Sequence, residues 1–74
     1  MMTRKDFEAM ADIFDAGYEQ NAILARNGDF DASTQNERDV AITCVVLRFV
    51  EFAKRDNPRF NEGKFKDRAL GSLR

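Results

Sequence analysis

The chain has 74 residues, with no histidine, one cysteine, and twelve Lys/Arg against thirteen Asp/Glu. That length has room for a single domain spanning 1–74, whose core buries roughly 60% of the surface that the unfolded chain exposes. One cysteine and no histidine exclude an intrachain disulfide and a zinc site of the usual Cys/His kind, which leaves oligomerisation as the support for a small core.

Charge is unevenly spread. Residues 1–37 carry three Lys/Arg against eight Asp/Glu, and residues 38–74 carry nine against five. Two such halves can attract each other within a chain or between chains. The N-terminus is charged at once, at Arg4, Lys5 and Asp6, with no apolar stretch of a secretory signal behind it. The longest apolar run, Cys44-Val45-Val46-Leu47, is far short of the ~20 residues that span a bilayer. A soluble chain with no membrane contact is expected, and the lone Cys44 suits the reducing cytoplasm.

Thr3 is placed to cap a first helix, with Asp6 in the first turn and Met2 and Phe7 as a hydrophobic staple across the cap. Phe7, Ala11, Phe14, Tyr18 and Ala25 then fall within about 40° of one line along a helix. Glu8, Asp12, Asp15 and Glu19 form an acidic ridge beside that stripe, expected to be solvated. Gly17 sits at the stripe's edge, where a missing side chain admits a neighbouring helix. Asn27-Gly28 closes the helix, and the polar stretch that follows, to Ser33, holds one aromatic, Phe30, expected to anchor the loop on the helix pair.

Thr34-Gln35-Asn36-Glu37 has the spacing of a capping box before an apolar run, and predicts a central helix from about Gln35 to Arg55. Ile42, Val45, Val46, Phe49, Val50, Phe52 and Ala53 fill an arc of about 160° on it, expected to bury Phe7, Phe14 and Tyr18. Val40, Cys44 and Leu47 form a second, narrow stripe on the opposite side, near Glu51. A helix that buries only one face has no use for a second stripe, so either the third helix or a second copy must cover it.

Asp56-Asn57-Pro58 stops the central helix, because the residue before proline avoids helical angles. Asn61 caps a short third helix, Phe60 and Phe65 staple it, and Phe65, Ala69 and Leu73 face inward up to a stop at Gly71. The fold class is therefore all-α: a small three-helix domain of two antiparallel helices and a short C-terminal helix packed across them.

Two segments carry a resemblance. Arg4-Lys5-Asp6-Phe7-Glu8-Ala9-Met10-Ala11 and Arg55 to Phe65, with Asp56-Asn57-Pro58-Arg59-Phe60-Asn61-x-x-Lys64-Phe65 at its heart, resemble the opening and closing segments of small accessory proteins encoded by actinobacteriophages and prophages. Asn61 stands where those proteins usually have aspartate, and both residues cap helices. The resemblance implies a host-cell cytoplasmic setting and a non-virion accessory role. It brings no catalytic residue and no cofactor.

Nothing in the residues assembles catalysis, so an enzyme is not expected. Cys44 lies in an apolar stretch with no base beside it, and reads as a small buried or interface residue. Asp29-Phe30-Asp31-Ala32-Ser33 starts like a calcium loop, but Thr34 stands at the glycine position and Val40 at the final glutamate position. The four glycines are too scattered for a phosphate loop. Protein–protein interaction is the expected function, as a homodimer with Val40, Cys44, Leu47 and Glu51 at the interface and with a host or phage protein as a possible further partner. The alternative is nucleic-acid binding through Arg48, Lys54, Arg55, Arg59, Lys64, Lys66 and Arg68, expected to share one side of helices two and three.

Overall fold

Helix α1 (Arg4–Arg26) begins at a full capping box. The Asp6 N–H donates to the Thr3 hydroxyl at 3.3 Å, and the Thr3 N–H donates to the Asp6 carboxylate at 2.8 Å. The helix ends in a Schellman motif: the Gly28 N–H donates to the Ala25 carbonyl at 3.1 Å and the Asp29 N–H to that of Leu24 at 3.0 Å. This needs a left-handed residue after the cap, and Gly28 takes it at φ 83°. The computed structural model describes residues 2–73.

Helix α2 (Ala32–Asp56) starts earlier than the Thr34-x-x-Glu37 spacing predicts. Asp31 is the cap, its carboxylate accepting from the Thr34 N–H at 2.8 Å. The same bond holds the Asp31 carboxyl below its ordinary value. With the Thr34 N–H taken by Asp31, Thr34 lies inside the helix, and the connection to α1 shrinks to residues 27–31. Phe30 is half-buried in it, with the Arg38 guanidinium 4.9 Å above its ring.

The α2 helix stops where proline requires. Asn57 takes φ −141°, ψ 106° ahead of Pro58. The Met2 N–H donates to the Asp56 carboxylate at 2.9 Å, which ties the start of the chain to the end of α2. Helix α3 (Glu62–Ala69) follows, capped by Asn61, which accepts from the Lys64 N–H at 3.0 Å. It ends at Ala69, ahead of the expected stop at Gly71, and residues Gly71–Leu73 form one 3-10 turn. Leu73, expected to face inward, is exposed.

The two long helices run antiparallel, and α3 lies across one end of the pair, giving a rod of 42 × 18 × 18 Å. Phe7, Ala11, Val46, Val50, Ala53, Phe65 and Ala69 are the buried core, joined by Met2, Met10, Phe14, Ile42, Phe49 and Phe60 at its margin. Gly17 permits the close approach expected of it: a β-carbon there would stand 3.3 Å from the Ile42 side chain. Phe65 is the point where the helices converge, its ring centroid 5.4 Å from that of Phe49, 5.4 Å from that of Phe60 and 6.2 Å from that of Phe14.

The wide arc of α2 is not buried as a whole. Val46, Val50, Ala53, Ile42 and Phe49 turn inward, but Val45 and Phe52 are about half exposed. The inward line is rotated toward Asp39 and Thr43, which form a polar seam with α1 that the apolar pattern does not reveal. Thr43 donates its hydroxyl proton to the Asp39 carbonyl at 2.8 Å, so Tyr18 is the donor in its 2.7 Å contact with the Thr43 oxygen. Asn21 is buried and fully engaged: its amide donates to the Asp39 carboxylate at 3.0 Å and its oxygen accepts from Arg38 Nε at 3.1 Å.

Val46 is 1% exposed. Val46→Ala removes two buried methyl groups and is expected to cost about 2 kcal/mol in urea unfolding. Tyr18→Phe removes the donor to Thr43 and is expected to cost about 1 kcal/mol. A chemical-denaturation midpoint unchanged in Val46→Ala would contradict this packing.

Candidate functional site

The middle of α2, from Val40 to Leu47, contains no charged residue over eight positions. Thr43, Ile42 and Val46 turn toward α1, and apolar side chains also occupy the side that faces away from it. Val40 is 53% exposed, Val45 56% and Leu47 47%, with Ala41 and Cys44 exposed between them. The narrow stripe Val40-Cys44-Leu47 therefore lies uncovered, and α3 is not its cover. Cys44, expected to be buried or at an interface, is exposed in the single chain. Glu51 is exposed as well, 3.9 Å from Lys54.

Position explains why α3 leaves this stripe open. Its eight residues span only about 12 Å, and they dock on the first half of α1 and the last turns of α2. Arg68 makes a two-pronged contact with Asp12, at 2.7 and 3.0 Å, and comes within 3.9 Å of Glu8. The Ser72 N–H donates to the Asp15 carboxylate at 2.7 Å. The acidic ridge, expected to be solvated, is thus in large part the docking site for the C-terminal segment. Glu19 alone of its four members is left out of these contacts among the described residues.

The seven basic residues do not form one patch. Lys54 and Lys66 converge on Glu62, at 3.1 and 2.7 Å. Arg68 is spent on Asp12 and Glu8. Arg48 and Arg55 are exposed on the outer side of α2, away from α3. Arg59 and Lys64 remain, and they flank a cleft between α1 and α3 together with Arg68. The seven were expected to share one side of helices two and three, and they do not. The i,i+4 spacing of Glu62 and Lys66 is the signal that could have set one of them aside.

These contacts set the electrostatics. The Arg68 guanidinium holds the Asp12 carboxyl below its ordinary value, and Asp12 raises Arg68 in return. Lys66 and then Lys54 lower Glu62, and Glu62 raises Lys54. Among the described residues, no group of three or more His, Cys, Asp or Glu side chains is placed to hold a metal ion. Among the same residues, no helix is long and apolar enough to cross a membrane.

Comparison with known protein families, with curated proteins and with solved structures finds no match.

Asp12 and Glu62 have folded-state pKa values below their unfolded ones. The stability they contribute is present above the unfolded carboxylate range and is lost as pH falls through the folded values. Circular-dichroism melts are expected to show a falling Tm below about pH 4. Asp12→Asn is expected to lower Tm at neutral pH and to flatten this acid dependence. An Asp12→Asn protein with the parent's acid slope would show that the Arg68 contact does not hold α3.

Proposed function

We propose that the protein works by protein–protein interaction, and that its first partner is a second copy of itself, joined along the outer face of α2. The observation that carries this is the charge-free segment from Val40 to Leu47, whose outward residues Val40, Val45 and Leu47 are about half exposed. A helix already packed along one side has no use for a second apolar stripe unless something covers it. A two-fold pairing of α2 with its copy gives each segment the cover that α1 and α3 leave out, and turns two helical hairpins into a four-helix assembly.

Size and surroundings support the same reading. The accessible surface is 5160 Å², so a standard interface of about 800 Å² per partner takes roughly one sixth of it. Glu37, Arg48, Glu51 and Arg55 border the apolar segment with both signs of charge, the polar rim expected around such a contact. A cytoplasmic, phage-type accessory role belongs to the same proposal. It rests on the resemblance carried by Arg4–Ala11 and by the segment from Arg55 to Phe65.

Nucleic-acid binding has less to support it. Lys54, Lys66 and Arg68 are held by carboxylates of the same chain, and the others are split between two sides of the molecule. Binding of that kind would weaken steeply with added salt.

Sedimentation of the parent protein at tens of micromolar is expected to give a dimer. Leu47→Glu and Val40→Glu are expected to give monomers with unchanged helicity, since both positions are solvent-exposed in the single chain. A parent protein that sediments as a monomer at these concentrations would sink the proposal.

A further inference from the structure

A cleft of about 750 Å³ lies between the first turns of α1 and α3, and no residue of the Val40–Leu47 segment lines it. Its volume is within the range of small-molecule sites, about 300–1,000 Å³. Phe7, Phe60 and Phe65 line it, and their rings are held against one another: Phe60 is 4.6 Å from Phe7 and 5.4 Å from Phe65 between centroids. Phe7 and Phe65 are buried, whereas Phe60 keeps part of its surface open.

The walls carry four cations, Arg4, Arg59, Lys64 and Arg68, against two carboxylates, Glu8 and Asp67. Arg4 and Arg68 are committed to the wall itself, through Glu8 at 3.3 Å and Asp12 at 2.7 Å. Among the described residues, Arg59 and Lys64 have no ion-pair partner. Arg59 directly precedes Phe60 and Lys64 lies in the first turn of α3, and all three line the same cleft.

The 57–61 segment that presents Arg59 is held by local hydrogen bonds, and Lys64 is carried by α3. The Phe60 N–H donates to the Asn57 carbonyl at 2.9 Å and the Arg59 N–H to the Asn57 side chain at 3.0 Å. Asn61 is committed to capping α3. An architecture of stop, staple and cap requires Pro58, Phe60, Phe65 and Asn61. It makes no use of the charges of Arg59 and Lys64.

We propose that this cleft binds a small organic anion with an aromatic body, the ring lying on Phe60 and the anionic group held by Arg59 and Lys64. The floor supplies apolar and ring-stacking contact, and the two cations supply charge-assisted hydrogen bonds to a carboxylate or phosphate. The net positive lining disfavours a cationic ligand. A ligand with no apolar body forgoes the floor, and a neutral aromatic forgoes the cations.

The test is a titration of the full-length protein with phenyl phosphate, followed by backbone amide NMR, beside parallel titrations with benzyl alcohol and with inorganic phosphate. Saturable shifts are expected for amides of residues 4–11 and 57–68, with phenyl phosphate at least about tenfold tighter than either control. The Arg59→Gln/Lys64→Gln double variant is expected to weaken phenyl phosphate by about tenfold while keeping the parent's melting curve and sedimentation. Phe60→Leu, which keeps an apolar side chain at the staple, is expected to weaken it less. No saturation, shifts confined to α2, equal affinity for inorganic phosphate, or an unaltered affinity in the double variant would overturn the proposal. The oligomeric state is read separately in the same samples, so failure here leaves the α2 pairing untouched and the converse also holds.

Discussion

Phe65 is the residue on which the arrangement of the three helices depends. An isolated helix of eight residues does not form in water, because its nucleation cost is spread over too few hydrogen bonds. Helix α3 exists because Phe65 enters between Phe14, Phe49 and Phe60, and because Ala69, one turn on, is small enough to bring the helix backbone against α1. Pro58 and Asn61 set where the helix can start; the ring contact sets where it goes. The ion pairs of Arg68 with Asp12 and of Lys54 with Glu62 are exposed and secondary to the aromatic contact that has already chosen the helix position. The cleft beside α3 is a consequence of the same contact, since the segment that lines it is the one that carries Phe60 up to Phe65.

Local chemistry was legible in the sequence wherever a residue can act in only one way. Gly28 after Asn27, Pro58 after Asn57, Thr3 three residues before Asp6 and Asn61 three before Lys64 all appear where their chemistry places them. The start of α2 was not legible, because two caps compete there. Asp31 and Thr34 are both sound N-caps, and the Thr34-x-x-Glu37 spacing favours the second. The charged cap wins because its carboxylate accepts the Thr34 N–H, the bond that also lowers its pKa, and because a negative charge suits the positive end of the helix dipole.

Which apolar residues of α2 face inward was only half legible. An arc of about 160° is wider than one neighbouring helix can cover, so some of it had to remain outside, and hydropathy alone does not say which end. The structure settles it through Tyr18 and Asn21. Both lie on the buried line of α1 and both need a partner for a polar atom, and Thr43 and Asp39 are the partners on α2 that can reach. Satisfying them rotates α2 away from Val45 and Phe52. A buried polar group left without a hydrogen bond costs as much as a lost methyl group or more, so two polar residues outweigh part of an apolar arc. The docking role of the acidic ridge was not legible for a related reason: periodicity within one helix carries no information about an element that arrives 56 residues later.

The length of α3 against that of α2 explains why the molecule keeps an apolar face. Helix α2 spans about 37 Å and α3 about 12 Å, so α3 can cover one end of the hairpin and not its middle. A third helix twice as long, laid along the same groove, would close the bundle. Instead the chain turns at Gly71, and the Val40–Leu47 surface is left to water or to another protein. Exposed valine and leucine scattered singly need no account. Here they follow one another through a stretch with no charged residue to break it, on the one helix already paired along its other side. Burying them within this chain would require displacing either α1, with its polar seam, or α3, with its aromatic anchor. The proposed partner, laid on the Val40–Leu47 face, would leave both in place, and none of the residues from Val40 to Leu47 lines the cleft beside α3.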